Sequence, residues 1–126
     1  MNNFPCPCCG YLVFTGPPGS YDICPICFWE DDLSQLRFVR TDGANRVSLT
    51  QAQRGFANDG VSESKFKKHV RKPGKDDSRD PKWRPIDESL DNIEDSVRGT
   101  NYGLTYPTDS TSLYYWRPNY WRRSTN

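Results

Sequence analysis

Apolar and polar positions follow two different rhythms along this chain, and neither lasts long. Tyr11, Leu12, Val13 and Phe14 form a short apolar run with strand character. Gly16-Pro17-Pro18-Gly19 then imposes a turn, because proline fixes φ and glycine supplies positive φ. Tyr21-Asp22-Ile23 brings the chain back to the second cysteine pair at Cys24, so a small hairpin carrying both cysteine pairs is predicted. From Ser48 the spacing becomes helical: Leu49, Ala52 and Phe56 recur at i, i+3 and i+7. Ser48 and Gln51 make a capping box at its start, and Gly60 suits its end. A second short helix is predicted from Ser62, with Glu63 in its first turn and Phe66 and Val70 four apart, stopping before Pro73-Gly74. Leu90, Ile93 and Val97 repeat the helical spacing and predict a third helix over 87–98, ended by Gly99. Beyond Thr100 the periodicity vanishes into an aromatic tail: Tyr102, Tyr106, Tyr114, Tyr115, Trp116, Tyr120 and Trp121, mixed with Arg117, Arg122 and Arg123.

Composition changes this picture in one respect. The apolar fraction is 34% over 126 residues, a thin supply for one core. Such a chain commonly needs a staple, and the cysteines offer one. All five lie between Cys6 and Cys27, as C-P-C-C-G and C-P-I-C-F. Cys6/Cys9 and Cys24/Cys27 have the spacing of two knuckles that together supply four thiolates to one zinc ion. Cys8 lies inside the first knuckle, where its spacing to Cys6 or Cys9 chelates poorly. It reads as a filler of the knuckle, or as a redox or alternative-ligand thiol. Gly10 fits the tight bend after the first knuckle, and Phe28 stands at the equivalent place in the second.

The formal net charge is +1, which gives no strong field toward nucleic acid or membrane. No stretch approaches the ~20 apolar residues of a membrane span. Met1-Asn2-Asn3 lacks the basic start of a secretory signal, so the expected compartment is the cytosol, where thiols stay reduced and favour metal over disulfide.

Several polar clusters invite a function. Glu30, Asp31 and Asp32 follow Trp29, whose ring is expected to cap the hairpin. They read as a solvated start of a helix or loop, as pairing partners for Arg37 or Arg40, as a carboxylate site, or as an acidic docking surface. Lys65 to Lys75 holds six basic residues and His69, yet Phe66 and Val70 use one face and Asp76, Asp77 and Asp80 follow, as on a solvated helix. Trp83, between Pro81 and Pro85, is expected to pack back on the core. Tyr114, Tyr115, Trp116, Tyr120 and Trp121 read as a strand covering a sheet edge, as anchors for a protein partner, or as a stacking surface for single-stranded nucleic acid.

The runs C-P-C-C-G-Y, P-P-G-S-Y-D-I-C-P-I-C-F-W-E-D-D, G-A-N-R-V-S-L and V-R-K-P, in this order, resemble the cysteine-rich CPCC domain family of bacteria over Phe4 to Ile86. A generic zinc ribbon would match only the four cysteines. The resemblance implies a small zinc-ribbon-like unit from toxin–immunity gene neighbourhoods, with Cys6, Cys9, Cys24 and Cys27 as metal ligands and no catalytic residue.

The expected fold is therefore a small α+β unit. Residues 1–86 form a zinc-binding hairpin with short helices packed on it, and residues 87–126 a C-terminal helix and an irregular or strand-forming aromatic extension. The expected function is an immunity protein that neutralises a cognate toxin domain. The acidic spot at 30–32 suggests a nuclease as that toxin, since it could face a basic active site. The alternative is a nucleic-acid-binding zinc ribbon. An enzyme is not expected: four cysteines close a zinc site, and one histidine is all the chain holds.

Overall fold

The computed structural model describes residues 3–96 and 104–122. Its sheet has two antiparallel strands, β1 (Phe4–Pro5) and β2 (Leu12–Phe14), with Phe4 opposite Phe14 and Pro5 opposite Leu12. The apolar run at 11–14 gives the predicted strand, but its partner lies before the first cysteine pair. Tyr21–Ile23 does not return to that strand. It pairs instead with Glu30 and Asp31 around the second cysteine pair, through an antiparallel bridge between Ile23 and Glu30. Each Cys-x-x-Cys therefore sits at the end of its own short ladder.

Helix α1 (Leu33–Arg37) starts where Glu30–Asp32 read as the start of a helix or loop, although no apolar spacing marks its length. Asp32 caps it, accepting from the Ser34 N–H at 2.9 Å. Helix α2 (Leu49–Asp59) has the predicted ends. The Gln51 N–H donates to Ser48 Oγ (3.3 Å), the Ser48 N–H donates to Gln51 Oε1 (2.9 Å), and Gly60 closes the helix at φ 74°. Leu49, Ala52 and Gln53 face the core, and Phe56 is half-buried at its border. Gly55 lets the chain return closely, since a Cβ there would fall 2.5 Å from the Ser62 carbonyl oxygen.

The predicted second helix is a 3₁₀ helix over Ser64–His69, with no residue buried. The predicted third helix is absent from the described part of 87–98. Asp87 closes a single turn by accepting from the N–H groups of Leu90 and Asp91, and Leu90 is left 78% exposed. Its acids are drawn elsewhere: Asp91 to Arg84 (2.6 Å), Glu94 to Arg37 (2.8 Å) and Asp95 to Arg40 (2.7 Å). Two of these pairs, Glu94 with Arg37 and Asp95 with Arg40, tie the segment to the end of α1 and the residues after it. They also take the two arginines that the sequence offered to Glu30–Asp32. Val97 and Gly99 of that prediction lie outside the described residues.

The tail forms no strand among the described residues. It carries a 3₁₀ helix at Ser110–Leu113, capped by Asp109, followed by turns. Leu113, Tyr114, Tyr115 and Trp116 enter the same apolar cluster as the cysteines, Trp29, Leu36, Leu49 and Ala52. One core thus runs across the proposed boundary at residue 86. Tyr102 and Arg123 lie outside the described residues. Among the described residues no helix is long and apolar enough to cross a membrane.

Candidate metal centre

The two knuckles are built alike. In the first, the Cys6 N–H donates to the Tyr11 carbonyl (2.9 Å) and the Gly10 N–H to the Cys6 carbonyl (2.6 Å). In the second, the Cys24 N–H donates to the Trp29 carbonyl (2.8 Å) and the Phe28 N–H to the Cys24 carbonyl (2.9 Å). The residue after each pair takes a left-handed backbone, Gly10 at φ 81° and Phe28 at φ 69°. Phe28 accepts a conformation that costs a non-glycine residue ~1–2 kcal/mol. Its ring stacks against Phe66, with centroids 4.3 Å apart.

Cys6, Cys9, Cys24 and Cys27 converge, and their sulfurs all lie within 4.8 Å of one another. Cys6 and Cys27 are 3.5 Å apart, and Cys9 and Cys24 are 3.7 Å apart. A tetrahedral ion with metal–sulfur bonds of ~2.3 Å sets its sulfurs about 3.8 Å apart, so the quartet fits. All four residues are fully buried, and none is in a disulfide. In the second knuckle the N–H groups of Ile26 and Cys27 also point at Cys24 Sγ, each at 3.4 Å.

The electrostatics call for a cation. Burial pushes the Cys6 and Cys27 thiols well up, and hydrogen bonding with Cys24 adds to both. Hydrogen bonds from Cys27, Cys6 and Cys9 pull Cys24 down. Four buried sulfurs become thiolates together only with positive charge between them, which a divalent ion supplies. Cys8 is equally buried but stands outside the quartet, and burial raises its thiol.

Residues distant in sequence close over the first knuckle. Residues 78–80 run beside Gly10–Leu12: the Leu12 N–H donates to the Ser78 carbonyl (2.8 Å), and the Asp80 N–H to the Gly10 carbonyl (2.9 Å). Trp83 packs back as expected, and its indole Nε1 donates to the Pro7 carbonyl at 3.0 Å. Gln53 of α2 donates to that carbonyl (3.0 Å) and to the Tyr115 hydroxyl (2.9 Å), and accepts from the Ile86 N–H (2.9 Å). The Arg79 guanidinium lies over the rings of Tyr11 and Trp83, 4.7 and 5.2 Å from their centroids. Nothing local in the sequence marks Gln53, Arg79 or Asp80 for these roles.

A family model described as Cysteine-rich CPCC matches residues 4–77. The chain belongs to this family. No curated protein matches it. The match ends short of Ile86, so Trp83 and the aromatic tail complete the core of this CPCC chain from outside the matched segment.

The surfaces expected to meet a partner are largely interior. Asp31 and Asp32 are 2% and 5% exposed. Asp31 accepts from the Ser20 hydroxyl (2.7 Å) and backbone N–H (3.2 Å), and burial raises its carboxyl. Asp32 holds α1 and the Ala44 N–H (2.8 Å). Glu30 is half-buried, and its backbone is bound by Asn45. The three acids thus form no exposed negative spot that could face the basic active site of a nuclease.

Tyr114, Tyr115 and Trp116 are likewise core residues, 1%, 5% and 6% exposed; the Tyr114 ring packs on Trp116 (centroids 4.8 Å apart), and the polar ends of Tyr115 and Trp116 find partners inside. Trp116 Nε1 donates to Asp80 (3.0 Å), which also pairs with Arg117 (2.9 Å), and the Tyr115 hydroxyl donates to the Arg84 carbonyl. Tyr120 is half-buried and Trp121 is 36% exposed, its ring 4.8 Å from the Arg37 guanidinium carbon. In the basic run, Lys65 pairs with Glu63 (3.6 Å), Lys67 meets Asp59 at 4.0 Å, and Arg71 pairs with Asp77 (2.7 Å). His69 lies exposed, 5.5 Å from the Phe28 ring.

Proposed function

We propose that this CPCC chain is an immunity protein, which docks on a cognate bacterial toxin domain in the cytosol and neutralises it without carrying out a reaction. Zinc is the ion of the quartet in this reading. The observation that carries it is the closed set of four buried sulfurs. Four protein ligands complete a tetrahedral site, so the ion serves to hold a shape. A rigid, stapled surface opposes binding with little ordering entropy. The resemblance to domains of toxin–immunity gene neighbourhoods supplies the kind of partner.

The test is co-expression with the toxin domain encoded beside it. Restored growth and a co-purifying complex support the reading, and a neighbour that is neither toxic nor bound sinks it. A colourless protein with one zinc per chain supports the metal assignment, whereas a coloured iron centre replaces it.

A further inference from the structure

The balanced total charge of the chain conceals an uneven distribution. Residues 61–75 hold six basic side chains against one acid, Glu63, while the whole chain carries a net +1, so the rest of the chain is net acidic. This basic segment straps the second knuckle at both ends. The Ser62 N–H donates to the Cys27 carbonyl (2.8 Å), and the Arg71 N–H donates to the Pro25 carbonyl (3.1 Å). Between these bonds the 3₁₀ helix Ser64–His69 buries no residue. Lys68, Lys72 and Lys75 are exposed and make no ion pair among the described residues. Lys65 and Lys67 meet Glu63 and Asp59 only at 3.6 and 4.0 Å, with their side chains more than half exposed. Exposed pairs of this kind hold their cations weakly.

Three rings lie within this basic surface. Phe28 and Phe66 stack with centroids 4.3 Å apart, and His69 lies 5.5 Å from the first and 6.4 Å from the second. Neither phenylalanine belongs to the apolar cluster around the cysteines or to the side chains packed on its border. Phe28 nonetheless holds φ 69° at a bend where the first knuckle uses Gly10. A ring outside the core is thus kept on a disfavoured backbone, and strain of this kind gathers at functional sites. The two rings wall a hollow of about 190 Å³, whose other lining includes the cations Arg46 and Lys65 and the acids Glu30 and Glu63. Aromatic walls with donors and acceptors at the rim suit a flat ring that carries polar edges.

We propose that this face of the second knuckle binds single-stranded nucleic acid. One base enters the hollow against Phe28 and Phe66, and the phosphates around it meet Arg46, Lys65, Lys68 and Lys72. Base–aromatic stacking beside a basic track is the pairing that sequence-tolerant single-strand binding uses. Charge alone would also suit an acidic peptide, but a peptide carboxylate leaves the aromatic walls without a planar guest. The site goes beyond the immunity reading and is independent of it, since it needs the second knuckle and no toxin.

The test is a fluorescence-anisotropy titration of the metal-loaded full chain with oligothymidylate and oligouridylate of about 15 nucleotides. At least one binds, and the tighter one tells whether DNA or RNA is preferred. Raising salt from about 50 to about 200 mM weakens binding roughly 20–50-fold, as contact with three or four phosphates requires. Glycine takes the left-handed bend at the first knuckle, so Phe28→Gly keeps the backbone and removes only the ring. Phe28→Gly and Phe66→Ala each weaken binding at least ~5-fold with metal content unchanged. Lys68→Ser combined with Lys72→Ser flattens the salt dependence. No binding of either oligonucleotide at low salt overturns the proposal, as does binding that both aromatic variants leave unaltered. Loss of metal in both aromatic variants would show that the rings serve the knuckle, and overturns it too. Polyglutamate that competes as well as the oligonucleotides assigns the face to an acidic protein segment and overturns the proposal as stated.

Discussion

The indole of Trp83 occupies the space that a side chain on Gly10 would need. A Cβ built on Gly10 falls 2.5 Å from Trp83 Cδ2, and Gly10 also holds φ 81°. Two constraints therefore meet at one residue: a left-handed bend after the first cysteine pair, and an aromatic lid from a segment beyond the matched family region. The second knuckle meets only the first constraint, so Phe28 is tolerated there.

Gly10→Ala is expected to destabilise the fold by at least ~2 kcal/mol, the left-handed cost of ~1–2 kcal/mol being joined by displacement of Trp83. Denaturant midpoints measure the stability, and Trp83 should move into a wetter environment. Wild-type stability in this variant would mean that Trp83 does not rest on the knuckle.

Cys8→Ser and Cys24→Ser separate the ligand set from its neighbour. Cys24 belongs to the four converging sulfurs, whereas Cys8 does not. The Cys24 variant should lose its metal and, with it, the folding free energy the ion supplies. The Cys8 variant should keep one equivalent per chain, destabilised by ~1–3 kcal/mol because a hydroxyl replaces a fully buried thiol. Metal content per chain, beside far-ultraviolet circular dichroism, reads both. Equal metal loss would place Cys8 among the ligands.

Asp80 ties the aromatic tail to the segment over the first knuckle. Burial works against its charge, yet hydrogen bonds from Trp116, the Lys82 backbone and Arg117 hold its carboxyl below the ordinary range. A depressed carboxyl adds stability above its unfolded pKa of ~3.9 and loses it as pH falls through the folded value. Asp80→Asn should cost ~1–3 kcal/mol at neutral pH. Its deficit relative to the parent should stay constant down to about pH 4 and shrink only below that. Urea midpoints of both proteins across this range check the sign; a deficit that grows in acid would contradict the assignment.

The quartet and both ends of α2 are legible in the sequence because each is local. A Cys-x-x-Cys knuckle and a Ser-x-x-Gln box state their partners within four residues. The lid is not legible, because Pro7 meets Gln53 and Trp83 across 46 and 76 positions. The acids at 30–32 mislead for another reason. Composition makes them a charged patch, but Asp32 is a helix cap and Asp31 a loop clasp, and α1 is only five residues long, too short to show a periodicity. The aromatic tail misleads similarly. Trp, Tyr and Arg suit an exposed anchor, and the same residues serve a core short of aliphatic side chains once Asp80, Gln53 and the Arg84 carbonyl satisfy their polar ends.

Asn45 gives the sharpest test of how the W-E-D-D and G-A-N-R segments join. Its side chain spans the Glu30 backbone with two bonds of 2.8 Å, and its Nδ2 also reaches Gln35 Oε1 at 2.9 Å. Gln35 in turn donates to the carbonyls of Thr41 and Val47, each at 3.0 Å, so Asn45 and Gln35 fix the loop between α1 and α2. Asn45 is 8% exposed and Gln35 1%, so water cannot readily replace what is lost. Asn45→Ala leaves the Glu30 N–H without its side-chain acceptor and should cost ~2–3 kcal/mol. Asn45→Asp should be worse, because it keeps the acceptor for the Glu30 N–H but sets a carboxylate oxygen against the Glu30 carbonyl and Gln35 Oε1. The expected stability order is wild type, then Asn45→Ala, then Asn45→Asp, read from denaturant midpoints at neutral pH. The gap between the two variants should narrow in acid as the new carboxylate is protonated and regains a donor. A variant pair of equal stability at neutral pH would mean that Asn45 does not bracket Glu30 from within the fold.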